Sequence, residues 1–191
     1  MIYFEKAFKY VIENEGTEFV DDPSDRGGAT KFGISVNFLK NLPYNSTVIN
    51  GISMENIGTF SEHELVDYIK YLNISEAKYI YKNYFWLPIY EKISSQRICN
   101  YIFDMTVQHG AHKTAELTQR AINAWHSEII CKVDGIFGKE TIEHCNIIGW
   151  EYFKPLLIAC RESLFRCIVS YHKSQEKFLN GWIKRCYRFG I

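Results

Sequence analysis

The stretch EGTEFVDDPSDRGGATKFGIS, residues 15–35, interrupts a chain whose remaining pattern is largely helical. It follows an amphipathic segment over residues 2–15, and it combines four further acidic residues with the turn signal Asp22-Pro23-Ser24-Asp25. The Gly27-Gly28 pair permits a positive φ or a close approach of a ligand to the backbone. The apolar segment Phe32-Gly33-Ile34 suits the return strand of a short hairpin. We therefore expect β structure only in this opening stretch.

Glu15 lies on the apolar face of the predicted first helix. On a helical wheel, Phe4, Phe8 and Val11 share a narrow arc, and Glu15 follows four residues after Val11. A carboxylate on such a face costs free energy unless it is paired or protonated. Fraying of the helix before Glu15, or pairing with an arginine, would make the residue purely structural. Periodicity alone leaves these alternatives open.

Hydrophobic periodicity predicts a mainly α protein. A polar loop is expected over residues 44–60, followed by a capping box in which Ser61 and Glu64 begin a helix. The longest helix is expected to turn one apolar stripe to the core, formed by Phe153, Leu157, Cys160, Leu164, Cys167 and Tyr171. Helices are predicted over residues 2–15, 35–42, 61–70, 75–85, 94–109, 113–126, 139–146, 151–173 and 176–188.

Composition limits the class of partner. The 191 residues are 47% hydrophobic, and 22 Lys and Arg balance 22 Asp and Glu, so no net charge draws the chain to nucleic acid. Stable membrane insertion is not expected, because no segment approaches the roughly 20 apolar residues of a transmembrane helix. The first ten residues, MIYFEKAFKY, lack the apolar core of a signal peptide. We expect synthesis in the cytoplasm, and the sequence leaves the oligomeric state open.

The cysteines and histidines favour neither disulfides nor a metal centre. Six cysteines show no close-paired metal spacing, and we interpret them as free core thiols of a reduced compartment. His109, His112 and the His144-Cys145 pair do not complete a tetrahedral zinc set. The turn at residues 133–138 supplies too few oxygens for calcium. No metal or other cofactor is therefore predicted.

Five ordered motifs resemble the glycoside hydrolase family 108 lysozymes. ENEGTEFVDDPSDRGGATKFGIS is similar to that family's opening E-G-G followed by D-P-x-D-x-G-G-x-T-x-x-G-I. IYKNYFW at residues 80–86 resembles its Y-x-x-x-Y-W segment, and FDMTVQHG at residues 103–110 its F-D-x-x-V-N-x-G helix. VDGIFGKET at residues 133–141 and FLNGWIKR at residues 178–185 resemble parts of its C-terminal peptidoglycan-binding region. Thr17, Phe85 and Gln108 depart from the family pattern.

The resemblance implies a lysozyme-like helical fold with a small hairpin near the N-terminus. It also implies hydrolysis of the β-1,4 bond between N-acetylmuramic acid and N-acetylglucosamine, with Glu15 as general acid and peptidoglycan glycan strands as the partner. A catalytic region would occupy residues 1–95. A helical region resembling a peptidoglycan-binding domain would occupy residues 96–191 and pack on the first as one compact unit.

The residues that would assist Glu15 are less clearly marked. Asp25 is a candidate second carboxylate and Thr30 a candidate for positioning water, although both also suit a turn or strand, and Asp22 is a weaker alternative. Asp104 and Gln108 lie four apart on one helix face and can line a polar cleft, or form a solvated face. Candidate substrate-binding residues are Gly27, Gly28, Phe32, Tyr84, Trp86, Asp104 and Gln108.

Two other functions fit the same motifs. One is a non-catalytic peptidoglycan-binding or secretion-associated protein that kept the fold, as some relatives labelled secretion activators suggest. The other is a lytic transglycosylase, since a lone glutamate can suffice for intramolecular attack. The lysozyme-like motifs, together with the lack of a signal-peptide pattern, favour a phage or prophage endolysin that reaches the cell wall after release or assisted export.

Overall fold

The computed structural model describes residues 2–21, 28–42, 48–49, 52–53 and 59–188. By contacts, the chain divides into two compact units, one of Phe8–Tyr84 and one of Met1–Ala7 with Phe85–Ile191. The chain passes between the units after residues 7 and 84, whereas the predicted functional boundary lies between residues 95 and 96. The fold is mainly α, as predicted. None of the described helices is long and apolar enough to span a bilayer.

The Phe8–Tyr84 unit combines helices with two short hairpins. Helix α1 covers Ile2–Glu15 and ends where Gly16, with a φ of +81°, donates its N–H to the carbonyl of Ile12. Strands β1, Thr30–Lys31, and β2, Ile34–Ser35, pair antiparallel, with Thr30 opposite Ser35. The helices that follow are α2 (Val36–Lys40), α3 (Glu62–Tyr71) and α4 (Ile74–Tyr84).

The predicted capping box at the start of α3 is confirmed. The Ser61 hydroxyl accepts from the Glu64 N–H, and the Glu64 carboxylate accepts from the Ser61 N–H at 2.8 Å. A similar arrangement begins α4, where the Asn73 side chain accepts from the N–H of Glu76 and the Glu76 carboxylate accepts from the N–H of Asn73. Both helix starts thereby satisfy backbone donors that would otherwise lack partners.

A second hairpin lies within the predicted polar loop, and the expectation of β structure only near the N-terminus is wrong. Strands β3, Val48–Ile49, and β4, Ile52–Ser53, pair antiparallel with Ile49 opposite Ile52. The sequence carried a signal for this pairing, because an Asn-Gly dipeptide flanked by β-branched residues is typical of a two-residue hairpin.

The other unit is a bundle built around its longest helix. A 3-10 turn at Pro88–Lys92 precedes α5 (Gln96–His109), α6 (Ala111–His126) and α7 (Lys139–Ile147). Helix α8 covers Trp150–Tyr171, and a second 3-10 turn at Lys173–Gln175 leads into α9, Glu176–Arg188. Helix α6 packs against α5, α7 and α8, while α9 packs on α8.

The buried stripe of α8 differs from the predicted one. It consists of Phe153, Leu157, Ile158, Arg161, Phe165 and Val169. Cys167 is exposed and Tyr171 is 79% exposed, although both belong to the predicted stripe. The predicted positions follow the helical repeat of 3.6 residues and share one face, but burial of Ile158, Phe165 and Val169 shows that the face turned to the core is rotated around the helix from the predicted one. The prediction also passed over Arg161, which is buried among apolar residues because it is paired.

All six cysteines are free thiols, but not all are in the core. Cys99, Cys131, Cys145 and Cys186 are buried, whereas Cys160 is partly exposed and Cys167 is exposed. Burial raises the pKa of Cys99 to about 12 and also raises the pKa of Cys145. The interpretation of the cysteines as core thiols is therefore corrected for the two on the outer side of α8.

Candidate active site

Glu15 is the last residue of α1 and is partly buried. The stripe preceding it is buried as the helical wheel predicted, with Phe4, Phe8 and Val11 each at most 4% exposed. The alternative in which the helix frays before Glu15 is wrong, because α1 extends to this residue and the Gly16 N–H closes its last turn. The helix therefore delivers the carboxyl to the hairpin that follows.

The turn of the first hairpin approaches Glu15 closely. Phe32 and Gly33 form its two central residues and have φ values of +53° and +72°. Both are positive, as the tight two-residue hairpin turn of type I′ requires. A Cβ atom at Gly33 would lie 2.8 Å from Oε2 of Glu15 and 2.9 Å from its Cγ. Only glycine leaves room for the carboxyl here.

Tyr81 on α4 reaches the same turn. Its hydroxyl donates to the carbonyl of Phe32 at 2.9 Å, and the side chain is 1% exposed. The Tyr81 ring packs edge-on against Phe8, with centroids 5.5 Å apart. Tyr81 is not among the site residues predicted from the sequence. Its spacing from Ala77 and Ile80, both buried on α4, was the available signal that it faces inward.

Thr30 begins the strand that leads into the turn, and Gly28 lies two residues before it. The Thr30 hydroxyl donates to the Gly28 carbonyl at 3.0 Å, and the Thr30 backbone exchanges two hydrogen bonds with Val20. This hydrogen bond leaves the hydroxyl oxygen able to accept a hydrogen bond from water. A Cβ at Gly28 would lie 3.4 Å from that of Val36, so this glycine packs the hairpin onto α2.

Phe32 and Tyr84, the two aromatic residues of this unit that were predicted to bind substrate, differ in their packing. The Phe32 ring is 8% exposed, and the Lys31 ammonium lies 5.4 Å from its centroid. Tyr84 is partly buried and packs edge-on against Phe38 at 6.2 Å. The Phe32 ring is therefore part of the packing that holds the hairpin. Asp22, Asp25 and Gly27 lie outside the described residues.

The remaining predicted site residues belong to the other unit. Trp86 is 5% exposed, and its ring contacts those of Phe4, Tyr90 and Phe103 at 5.2–5.5 Å. Such a ring is an aromatic core residue and does not fit the predicted role of a sugar-stacking surface. Its place in the core follows from its large apolar area.

Asp104 is fully buried between two arginines. Its Oδ2 accepts from Nη2 of Arg161 at 2.7 Å, and its Oδ1 accepts from Nη2 of Arg185 at 2.7 Å. The same Arg161 nitrogen donates to Oε1 of Gln108. The predicted polar face of Asp104 and Gln108 is thus an internal ion-pair network. This burial does not fit direct contact of Asp104 with a sugar, because the helices would have to separate first.

His109 extends this network as a neutral acceptor. Nε of Arg161 donates to its Nε2 at 3.2 Å. Burial lowers the pKa of His109 to about 3, and the positive charge of Arg161 acts in the same direction. Burial is the largest single influence on the pKa of Arg161 and lowers it, but the Asp104 carboxylate, together with smaller contributions from Tyr101 and Cys186, holds that pKa above its usual value. Across the described residues, no group of three or more His, Cys, Asp and Glu side chains forms a metal site.

Comparisons with known proteins cover the first three of the five motifs with a family match and nearly the whole chain with a structural one. A family described as Glycosyl hydrolase 108 matches residues 8–110, which is more than half of the chain. The solved structure described as "Structure of Brucella abortus SagA" has a TM-score of 0.60 and 18% sequence identity. The match covers 97% of this chain and 94% of that one, so the two share a fold. No curated protein matches this sequence significantly.

Proposed function

Because this chain belongs to the glycosyl hydrolase 108 family, we propose that it cleaves the glycan strands of peptidoglycan as an N-acetylmuramidase. The bond cut is the β-1,4 linkage between N-acetylmuramic acid and N-acetylglucosamine. Glu15 is the general acid. The observation that carries this proposal is the placement of Glu15, a partly buried residue at a helix end with the Phe32–Gly33 turn held against its carboxyl.

The surroundings of Glu15 support a catalytic role over a purely structural one. Structural carboxylates at helix ends are generally solvated or paired on the surface, where a precise position brings no benefit. Glu15 instead lies where the hairpin backbone leaves space for it only because residue 33 has no side chain. Backbone conformations with a positive φ at a residue such as Phe32 concentrate at functional sites.

In the proposed reaction, Glu15 donates its proton to the oxygen that bridges the two sugars. The bond from the anomeric carbon to that oxygen breaks, and positive charge develops on the ring carbon and oxygen. A water molecule then adds to the anomeric carbon and loses its proton to a base. Asp25 and Thr30 are our candidates for holding this water, with Asp25 as the base and Thr30 as a hydroxyl that orients it.

The rest of the chain adds two narrower proposals. We place glycan binding by residues 96–191 alongside catalysis, on the basis of the motifs at residues 133–141 and 178–185. We also propose that the protein acts on the cell wall after release or assisted export, as an endolysin does.

Two variants, Asp25→Asn and Thr30→Val, test the groups proposed to assist Glu15. Either change should lower the rate of glycan cleavage if the side chain that it removes holds the attacking water.

Mass spectrometry of digested muropeptides tests the proposed activity. Purified protein is incubated with peptidoglycan sacculi, and the released fragments are analysed before any reduction. Muramidase activity generates fragments with reducing N-acetylmuramic acid ends. Anhydro-muramic ends would instead identify a lytic transglycosylase. Intact sacculi that nevertheless sediment with the protein would identify a non-catalytic binder and would overturn the proposal.

A further inference from the structure

Three elements of the Phe8–Tyr84 unit converge at Gly33. Oε2 of Glu15, at the end of α1, lies 2.8 Å from the position that a Cβ of residue 33 would occupy. The hydroxyl oxygen of Tyr81, from α4, lies 2.8 Å from the same position. Oε2 of Glu15 and the hydroxyl oxygen of Tyr81 are therefore separated by at most twice 2.8 Å, and the Phe32–Gly33 turn lies beside both atoms.

Tyr81 is fixed in this position by its own packing. Its ring is buried and lies edge-on to Phe8, on the same helix that ends in Glu15. Phe8 in turn has the Lys78 ammonium 5.9 Å from its ring centroid. A buried phenol that donates a hydrogen bond is costly to move, because its hydroxyl would lose a partner that water cannot replace. Tyr81 is thus a rigid support beneath the turn.

The turn itself needs such a support. Phe32 has a φ of +53°, a conformation that costs about 1 kcal/mol or more for a residue with a side chain. The Tyr81 hydroxyl satisfies the Phe32 carbonyl at 2.9 Å, and the buried Phe32 ring anchors the other side of the peptide. Without the hydroxyl, the carbonyl would lose this bond and the strain would favour a different turn.

The geometry points to Tyr81 as a positioning residue for the general acid. By holding the Phe32 carbonyl, its hydroxyl keeps the Phe32–Gly33 turn against Glu15 and limits the orientations that the carboxyl can adopt. The effect is on proton transfer, because a small displacement of a catalytic group reduces the rate much more than it reduces substrate affinity. This inference rests on the proposed function of Glu15 and extends it to α4.

Tyr81→Phe removes the hydroxyl and retains the ring. Steady-state cleavage of a defined peptidoglycan oligosaccharide is measured well below the melting temperature of the variant. We expect kcat to fall about 10- to 100-fold and KM to change by less than about twofold. Tyr79→Phe is the matched control, since Tyr79 lies on the same helix and is 40% exposed. It should keep both constants.

The comparison of kcat with the folded fraction separates positioning from stability. If Tyr81→Phe loses activity only in proportion to unfolded protein, lowering the temperature restores kcat and the inference is overturned. A folded variant with kcat within about twofold of wild type also overturns it. Wild-type protein that cleaves no glycan would instead refute the proposed function and not the role of Tyr81 alone.

A second variant covers the case in which Tyr81→Phe does not fold. Gly33→Ala presses on the Glu15 carboxyl from the turn side, where the added methyl would lie 2.8 Å from Oε2. If the turn positions Glu15, the kcat of the folded Gly33→Ala variant should fall while its KM stays at the wild-type value. An Ala variant that folds and keeps the wild-type kcat would show that the turn does not set the carboxyl position.

Discussion

Gly33 lies against Glu15 so closely that a Cβ atom at residue 33 would come within 2.8 Å of the Glu15 carboxyl. The backbone adds a second restriction, because Gly33 has a φ of +72°. Steric contact and backbone conformation therefore select glycine independently. The glycine of the T-x-x-G-I motif is thus required by the close contact between the hairpin turn and the proposed acid.

Gly33→Ala should lower the free energy of unfolding by more than the backbone strain at a positive φ accounts for. A positive φ costs a residue with a side chain about 1–2 kcal/mol, and the contact with Glu15 adds to it. Gly16→Ala is the control, since Gly16 has a φ of +81° at the end of α1 and nothing lies within 4 Å of its added Cβ. Urea unfolding of both variants should show the larger loss for Gly33→Ala. Equal losses of unfolding free energy in the two variants would show that the contact between residue 33 and Glu15 adds no destabilisation.

Asp104→Asn should strongly destabilise the unit that contains α5, α8 and α9. The change leaves the fully buried Arg161 without its charged partner, which typically costs about 3–5 kcal/mol of unfolding free energy. The control is Glu151→Gln, which breaks the exposed Arg97–Glu151 pair and should cost less than about 1 kcal/mol. Chemical denaturation measures both. A loss below about 1 kcal/mol for Asp104→Asn would contradict a tightly closed network.

His109 should make the folded state sensitive to acid. Its pKa is about 3 in the folded protein, below the ordinary value of 6.5, so the unfolded chain binds the proton first as pH falls. The contribution of neutral His109 to stability is therefore present above pH 6.5 and is lost as pH decreases toward 3, by at most about 1.4 kcal/mol per pH unit.

The variant His109→Gln isolates that contribution, because glutamine retains an acceptor for Arg161 but does not titrate. Its unfolding free energy should depend less on pH than that of the wild type between pH 6.5 and 3. His172→Gln, at an exposed position, is the control and should follow the wild type. If the pH dependence of unfolding free energy were the same for wild type and His109→Gln, a neutral His109 in the folded protein would be refuted.

The thiols should differ sharply in reactivity. Cys167 is exposed and should react first with a thiol reagent in the native protein, followed by the partly exposed Cys160. The four buried cysteines should react only after unfolding, and burial keeps the pKa of Cys99 at about 12. Counting labelled sites by mass spectrometry, with Cys167→Ser as control, checks this order. Fewer than six reactive thiols in unreduced, unfolded protein would indicate a disulfide.

Much of the fold followed from periodicity because most elements are amphipathic helices with clear starts. The Ser61 capping box and the apolar arc of α1 are local features, so a sequence of this kind specifies them directly. The pairing of β3 with β4 was not predicted because the surrounding sequence is polar, although the Asn-Gly dipeptide between the two strands is a hairpin signal.

The site was only partly predictable, for a physical reason. Glu15 was found because a charge on an apolar face is a local anomaly. Tyr81 and the partners of Asp104 depend on contacts between residues distant in the chain, such as Asp104 with Arg161 and Arg185. An arginine spaced four residues from both Leu157 and Phe165 was a signal that α8 buries a charge, but its partner could not be identified from one helix.

Glu15→Gln, compared with Glu13→Gln, tests the central claim most directly. Both glutamates lie near the end of α1, but Glu13 is exposed. Release of reducing muropeptide ends is measured for folded variants with matched melting temperatures. A positioned proton donor predicts at least about a hundredfold loss of rate for Glu15→Gln, and no loss for Glu13→Gln. Wild-type cleavage by a well-folded Glu15→Gln variant would contradict the assignment of Glu15 as the general acid.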